Sequence, residues 1–234
     1  MTGVYTFWYS SRVIVGTILL KRYRSFVSKT MLIWARKLLG LIKVEVVVNG
    51  KNNLIDNQDR PVIVMCNHSS LYDIPISAVA LETDLRMMAK RELFKIPVFA
   101  TALRKGEFIS IDRHNREQSR KDLKKAKEKM LDGIVLWIAP EGTRSKDGKL
   151  AEFKKGGFHL ALDTQALIIP IVVKDIHKVQ AGKDLTLYLD QTIEVEVCEP
   201  IDSLDYSVES RKEFVNAVRQ KMLNALGQAE SKND

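Results

Sequence analysis

Acidic residues are missing from the first 44 positions of this 234-residue chain, although it carries 29 of them in all. Eight Lys or Arg lie in that stretch, and the remainder is balanced at 29 basic and 29 acidic residues, so the net charge of +8 belongs to the N-terminus alone. A nucleic-acid binder spreads its cations over a folded face. A segment that is both basic and apolar reads instead as an attachment to anionic lipid. Membrane lipid is therefore the expected partner, and nucleic acid is not. Cysteine is scarce too. Cys66 and Cys198 stand alone in apolar surroundings, which excludes a disulfide framework and a cysteine metal site and suits a reducing compartment. His114, His159 and His177 form no ligand motif with His68, so no metal is expected. The chain lacks Gly-x-Ser-x-Gly, which argues against a nucleophile-elbow hydrolase. Long apolar runs are absent as well. Val4–Tyr9 is interrupted at Ser10-Ser11-Arg12, and the run from Val13 to Leu20 is about half of the ~20 residues a spanning helix needs. No basic residue precedes the apolar part, and Lys21-Arg22-Tyr23-Arg24 stands where a signal peptide would place small residues.

The segment from Phe26 to Ile42 has helical periodicity. Val27, Met31, Trp34, Leu38 and Leu41 follow one face, with Lys29, Arg36 and Lys43 on the other. A surface helix packed on the core would normally mix in acidic residues. Their absence predicts a stripe lying in an anionic lipid interface, facing the cytoplasm, and a helical hairpin that dips into one leaflet. Residues 1–43 are accordingly expected to form a two-helix membrane-association element, and 44–234 an α/β domain.

Beyond Val44 the pattern changes to short β-type runs between helical stretches. Val44–Val48 ends at the turn signal Asn49-Gly50. Pro61–Cys66 is continuously apolar, as a strand buried on both faces would be. Phe108–Ile111, Ile134–Ile138 and Leu167–Val173 read similarly, with a charged helix over Asp112–Asp132. Leu185–Tyr188 and Ile193–Val197 suggest a terminal hairpin around Asp190-Gln191. Val208–Leu226 reads as an amphipathic helix stopped by Gly227, followed by a frayed tail over Gln228–Asp234. Alternating strands and helices imply an α/β fold with a sheet flanked by helices.

Three constellations carry chemistry. In Asn67-His68-Ser69-Ser70-Leu71-Tyr72-Asp73, His68 follows a buried strand, the usual place for a reactive group in such folds. Asp73 precedes Ile74-Pro75 and suits a helix N-cap; across a loop-to-helix corner it also suits an orienter of the His68 imidazole. Pro140-Glu141-Gly142-Thr143-Arg144-Ser145 also follows an apolar strand and offers amides, hydroxyls and a guanidinium, the groups a phosphate monoester needs. Glu141 is suited to hold Arg144 or to accept from a substrate hydroxyl. Lys154 and Lys155 add cations before Gly156-Gly157, where a helix would begin. Finally, Lys105 and Arg113 flank the strand Phe108–Ile111 as further phosphate candidates.

In this order the motifs resemble the glycerolipid acyltransferase family, over roughly residues 44–200. The matching residues are Asn67, His68 and Asp73; Gly106, Phe108, Asp112 and Arg113; Pro140 to Ser145; and Ile169-Pro170-Ile171, with Lys90, Glu92 and Leu93 also fitting. Ala139 departs from the family's usual Phe. The resemblance implies a two-helix membrane-seating element before the domain. It implies an activity that moves an acyl group from acyl-CoA or acyl-carrier protein onto 1-acyl-sn-glycerol-3-phosphate (lysophosphatidic acid), without a cofactor. His68 would be the base, Asp73 its orienter, and Arg144, Gly142, Thr143 and Arg113 the phosphate site, with Lys105 and Glu141 nearby. Another lysolipid acceptor, a metal-dependent phosphoesterase using His68 and Asp73 as ligands, and a non-catalytic lipid binder are the competing readings.

Overall fold

The computed structural model describes residues 2–19, 21, 24–54, 60–180 and 186–228. Two helices come first, α1 (Thr2–Ile18) and α2 (Arg24–Leu41). The chain then runs β1 (Glu45–Asn49), β2 (Val62–Cys66), α3 (Asp73–Leu81), β3 (Leu85–Lys90), α4 (Phe99–Lys105), β4 (Ile109–Ile111) and α5 (Arg116–Leu131). It continues through β5 (Val135–Ile138), α6 (Gly156–Thr164), β6 (Leu167–Val173), β7 (Thr192–Val197), β8 (Ile201–Asp202) and α7 (Arg211–Leu226). One sheet has the order β1-β7-β6-β2-β5-β3-β4, with β8 paired to β6. The stretch from β6 to β4 is parallel, whereas β7 and β8 run antiparallel to β6. The fold is thus α/β, with a mixed sheet flanked by helices.

Every residue of β2 and β6 is buried because helices cover both faces. Strand alternation sorts the side chains into two cores. Val62, Val64 and Cys66 join Ala35 and Leu38 of α2 and Ile76 of α3. Ile63 and Met65 join Ala126 and Met130 of α5, Phe158 of α6 and Phe214 of α7.

The stripe on α2 therefore faces the protein. Met31 and Leu38 lie in the first core, Val27 is buried against Val13 of α1 and Ala102 of α4, and only Leu41 is substantially exposed. This corrects the expectation that the stripe lies in lipid. The most exposed apolar side chains of the two helices sit on α1, where Phe7 is 60% and Trp8 54% exposed. The interruption at Ser10-Ser11-Arg12 does not break α1 either. The Ser11 hydroxyl donates back to the Phe7 carbonyl at 3.0 Å, and the Arg12 guanidinium lies 5.9 Å from the Trp8 ring centre and 5.7 Å from that of Phe26.

Arg86 on β3 is completely buried and ties α2 to the sheet. It donates to the Ser28 hydroxyl (2.9 Å) and to the carbonyls of Leu85 (2.8 Å) and Arg24 (3.2 Å). Arg24 in turn holds Glu107 through two bonds of 2.7 and 3.0 Å, and Asp132 at 2.8 Å.

The expected terminal hairpin is not formed. Leu185 lies outside the described residues, and 186–189 are irregular, with the Tyr188 amide on the Val179 carbonyl at 3.0 Å. Strand β7 pairs instead with β1 in parallel and with β6. Gly227 closes α7 in the left-handed conformation, φ 64°. Beyond it, Gln228 is fastened rather than frayed: its side chain accepts from the Leu150 amide and donates to the Gly148 carbonyl, both at 3.0 Å. Residues 229–234 lie outside the described residues.

Candidate active site

Parallel strands deliver the motifs to one edge, because each functional loop follows the C-terminal end of a strand. Asn67 follows β2 and locks it to β6. Its amide nitrogen donates to the Val173 carbonyl at 3.0 Å, and its oxygen accepts from the Val173 amide at 2.7 Å. With that strand end fixed, His68 Nδ1 lies 2.7 Å from Asp73 Oδ2. The same oxygen accepts from the amides of Ser69 (2.8 Å) and Ser70 (2.9 Å). Helix α3 begins at Asp73 itself with Tyr72 as its cap residue, so the carboxylate folds back over the loop rather than capping the helix. Asp73 is fully buried, and its Oδ1 has no hydrogen-bond partner among the described residues. A carboxylate that already takes two amides is an acceptor, which puts the imidazole proton on Nδ1 and a lone pair on Nε2. Nε2 makes no hydrogen bond among the described residues, and the His68 side chain keeps 16% exposure. Trp137 of β5 stands edge-on to the imidazole, ring centres 6.1 Å apart, and its own N–H is held by Ser77 Oγ at 3.1 Å.

Glu141 is 2% exposed, and both of its oxygens are occupied. One accepts from the His68 amide at 2.7 Å and the other from the Ala151 amide at 2.9 Å. Burial pushes its carboxyl above the ordinary range, against the pull of those two amides. Glu141 therefore braces the backbone of His68. It neither pairs with Arg144 nor offers a free acceptor, contrary to the expectations from sequence. It also lines a cleft of about 660 Å³ with an apolar floor of Met88, Ile111 and Ile138 and cations Lys90, Arg113 and Lys154 on its walls. The His68 backbone amide is thus one hydrogen bond from a residue that lines the cleft.

Arg113 is set by its neighbours. Asp112 Oδ1 accepts from the amides of His114 (3.0 Å) and Asn115 (3.1 Å), Arg91 holds Oδ2 at 2.8 Å, and Asn115 caps α5 by accepting from the Gln118 amide at 3.0 Å. These bonds hold the Asp112 carboxyl below its usual range, the His114 amide contributing most. The Arg113 guanidinium donates to the Gly142 carbonyl. Gly142 sits at φ 74° with its amide on the Ala139 carbonyl at 3.1 Å. It therefore holds Arg113 and turns the chain, and has no amide left for an anion. Thr143 is exposed on the cleft, and Arg144, half-buried, makes no hydrogen bond or ion pair among the described residues. Ala139 also lines the cleft.

Lys105 is not brought to this edge. It ends α4, is exposed, and precedes β4, whereas Arg113 follows that strand; the two lie at opposite ends of the sheet. Sequence reasoning also missed Gln180, a buried side chain whose oxygen accepts from Ser70 Oγ at 3.3 Å and the Leu71 amide at 3.4 Å. No local signal marks it, since the contact spans 110 residues. Among the described residues no group of three or more His, Cys, Asp or Glu is arranged to hold a metal ion.

Residues 45–174 match the family model described as Acyltransferase, more than half of the chain. The chain belongs to the acyltransferase family. It is similar to the acl-2 protein of Caenorhabditis elegans, 31% identical over 166 residues, covering 70% of this chain and 59% of that protein. It is also similar to a 1-acyl-sn-glycerol-3-phosphate acyltransferase of Cocos nucifera, 30% identical over 169 residues, 72% of this chain and 54% of that one. The acyltransferase chain thus spans between half and three fifths of the length of these relatives. Among solved structures it matches the 1-acyl-sn-glycerophosphate (LPA) acyltransferase, PlsC, from Thermotoga maritima. That match has a TM-score of 0.77 and 27% identity, and covers 99% of this chain and 97% of the other.

Proposed function

We propose that this acyltransferase moves an acyl group from a thioester, on coenzyme A or a carrier protein, to the sn-2 hydroxyl of 1-acyl-sn-glycerol-3-phosphate, giving phosphatidic acid for phospholipid synthesis. The observation that carries the reading is the His68–Asp73 pair at 2.7 Å, with Nε2 unengaged among the described residues. In this mechanism Nε2 removes the hydroxyl proton, and Asp73 stabilises the imidazolium that results. The alkoxide attacks the thioester carbonyl, the carbon–sulfur bond breaks, and the imidazolium returns its proton to the departing thiolate. Base, hydroxyl and thioester suffice, so the reaction uses no cofactor. Arg144, Arg113 and the Thr143 backbone hold the phosphate, Arg144 being a cation without a hydrogen bond or ion pair among the described residues. The names of the Cocos nucifera and Thermotoga maritima proteins support the choice of acceptor.

The acceptor is a lipid, and the exposed apolar face of α1, with Val4, Phe7, Trp8 and Val15, is suited to seat the enzyme in one leaflet of the cytoplasmic face beside the N-terminal cations. Among the described residues no helix is long and apolar enough to cross a membrane. The test is an assay in mixed micelles with lysophosphatidic acid and each donor, following thiol release and phosphatidic acid. Wild type is expected to make product and His68→Ala to lose nearly all of it. A folded, micelle-bound wild type that makes none with either donor sinks the choice of acceptor.

A further inference from the structure

The cleft has a second neighbour that the proposed reaction does not use. Helix α5 carries Arg116, Arg120, Lys121, Lys124, Lys125, Lys127 and Lys129 within 16 residues. Lys121 pairs with Glu117 and Lys129 with Glu107, while Asp122 is buried and engaged by the Asp112 amide and Gln118. Among the described residues the other five cations have no ion pair or hydrogen bond.

Their arrangement is ordered. Arg116, Arg120 and Lys124 follow one another at four-residue spacing, and with Lys127 and Leu131 they form one stripe. Like charges so spaced repel and weaken a helix. The fold needs no such stripe, because α5 packs through Ala126 and Met130 on its other side. The stripe ends in an apolar side chain, Leu131, which is 62% exposed. The adjoining row, Ser119 and Leu123, lines the cleft, and so does the exposed Lys154 just before α6.

Building on the acyl-transfer reading, we propose that this stripe docks an acidic carrier protein whose thioester-bearing arm enters the cleft past Ser119 and Leu123. A lipid surface fits less well, since α5 lies on the face of the sheet opposite α1 and α2. The polar head of coenzyme A fits less well too. A helix of this length extends about 24 Å, longer than the phosphates of one nucleotide, and the exposed leucine at its end suits a protein surface. Complementary charge of this kind steers encounter and sets the on-rate.

The test gives one acyl chain on two donors, an acidic holo-carrier protein and coenzyme A, to wild type and to the exposed double variant Arg120→Glu/Lys124→Glu. With the carrier donor, kcat/KM is expected to fall at least about tenfold and to lose most of its salt dependence. With the coenzyme A donor it stays within about twofold, as expected for exposed residues away from the chemistry. Equal loss with both donors overturns the proposal, as does an unchanged rate with the carrier or a wild type that ignores the carrier donor. Loss of binding to anionic vesicles in the variant would assign the stripe to lipid and overturn it as well. Carrier-protein binding is also measured directly, without turnover. If neither donor yields phosphatidic acid the proposed reaction fails, yet binding to wild type and not to the variant still supports the stripe, and binding to neither or both refutes it.

Discussion

Asparagine at position 73 separates the hold that Asp73 has on its loop from its proposed role as orienter of His68. Its Oδ2 serves His68 Nδ1, the Ser69 amide and the Ser70 amide at 2.7, 2.8 and 2.9 Å. In Asp73→Asn the amide oxygen can take that place without the charge. Hydrogen bonds to charged groups contribute about 1.5–3 kcal/mol and neutral ones about 0.5–1.5, so roughly 1 kcal/mol is lost per bond. The new amide nitrogen falls where Oδ1 now lies, buried and without a hydrogen-bond partner among the described residues. The expected loss is about 3 kcal/mol, a fall in Tm of roughly 6–12 °C for a chain of this size. A domain stabilised by about 5–15 kcal/mol stays folded through most of that loss. Turnover is expected to fall much further, on the order of 10³–10⁴-fold, as when an orienting carboxylate is removed from a catalytic triad. Thermal unfolding and kcat, measured on one preparation with lysophosphatidic acid saturating, decide the matter. A kcat within tenfold of wild type, with Tm lowered as stated, would show that Asp73 only shapes the loop and refute its role as orienter.

In the proposed site Arg144 holds the phosphate, so in Arg144→Ala the KM for lysophosphatidic acid is expected to rise at least about tenfold with kcat nearly unchanged; a steady-state comparison reads this directly. Lys105→Ala, at the opposite edge of the sheet, is expected to leave kcat and KM within about twofold of wild type, and a larger effect would contradict the placement of α4. Glu107 is held down to about 2, chiefly by its hydrogen bond with Arg24 and then by Lys129. Because the folded carboxyl titrates below its ordinary value of 4.5, the stability it contributes is present above that value and is lost as pH falls towards 2. Glu107→Gln is therefore expected to cost on the order of 2 kcal/mol at pH 7, after allowance for screening. Denaturant unfolding should show the gap to wild type closing through that acidic window; a gap constant with pH would contradict the ion-pair account.

Much of this site was legible because its pieces are local. Pro61–Cys66 announces a strand buried on both sides, and the five-residue step from His68 to Asp73 crosses one corner. What could not be read depended on topology. Lys105 and Arg113 flank the same strand, and only the direction of that strand assigns one of them to the reactive edge. Glu141 looked like a free carboxylate because nothing local reveals that the amides of His68 and Ala151 converge on it. The face chosen by α2 was misread because an apolar stripe looks the same whether a sheet or a lipid tail meets it. Strand β7 found β1 as partner across about 150 residues, beyond any periodicity. Gln180 belongs to the same class.

The tie between α2 and the sheet bears on how this enzyme can be handled. A cut at residue 43 would remove the Ser28 hydroxyl and the Arg24 carbonyl from a buried guanidinium, and strip Ala35 and Leu38 from the core shared with β2. The hairpin is thus not a detachable anchor. Removing it would leave the remaining sheet with an open core and an unpaired buried guanidinium, so residues 1–43 and the α/β domain are to be expressed and purified together, as one folding unit.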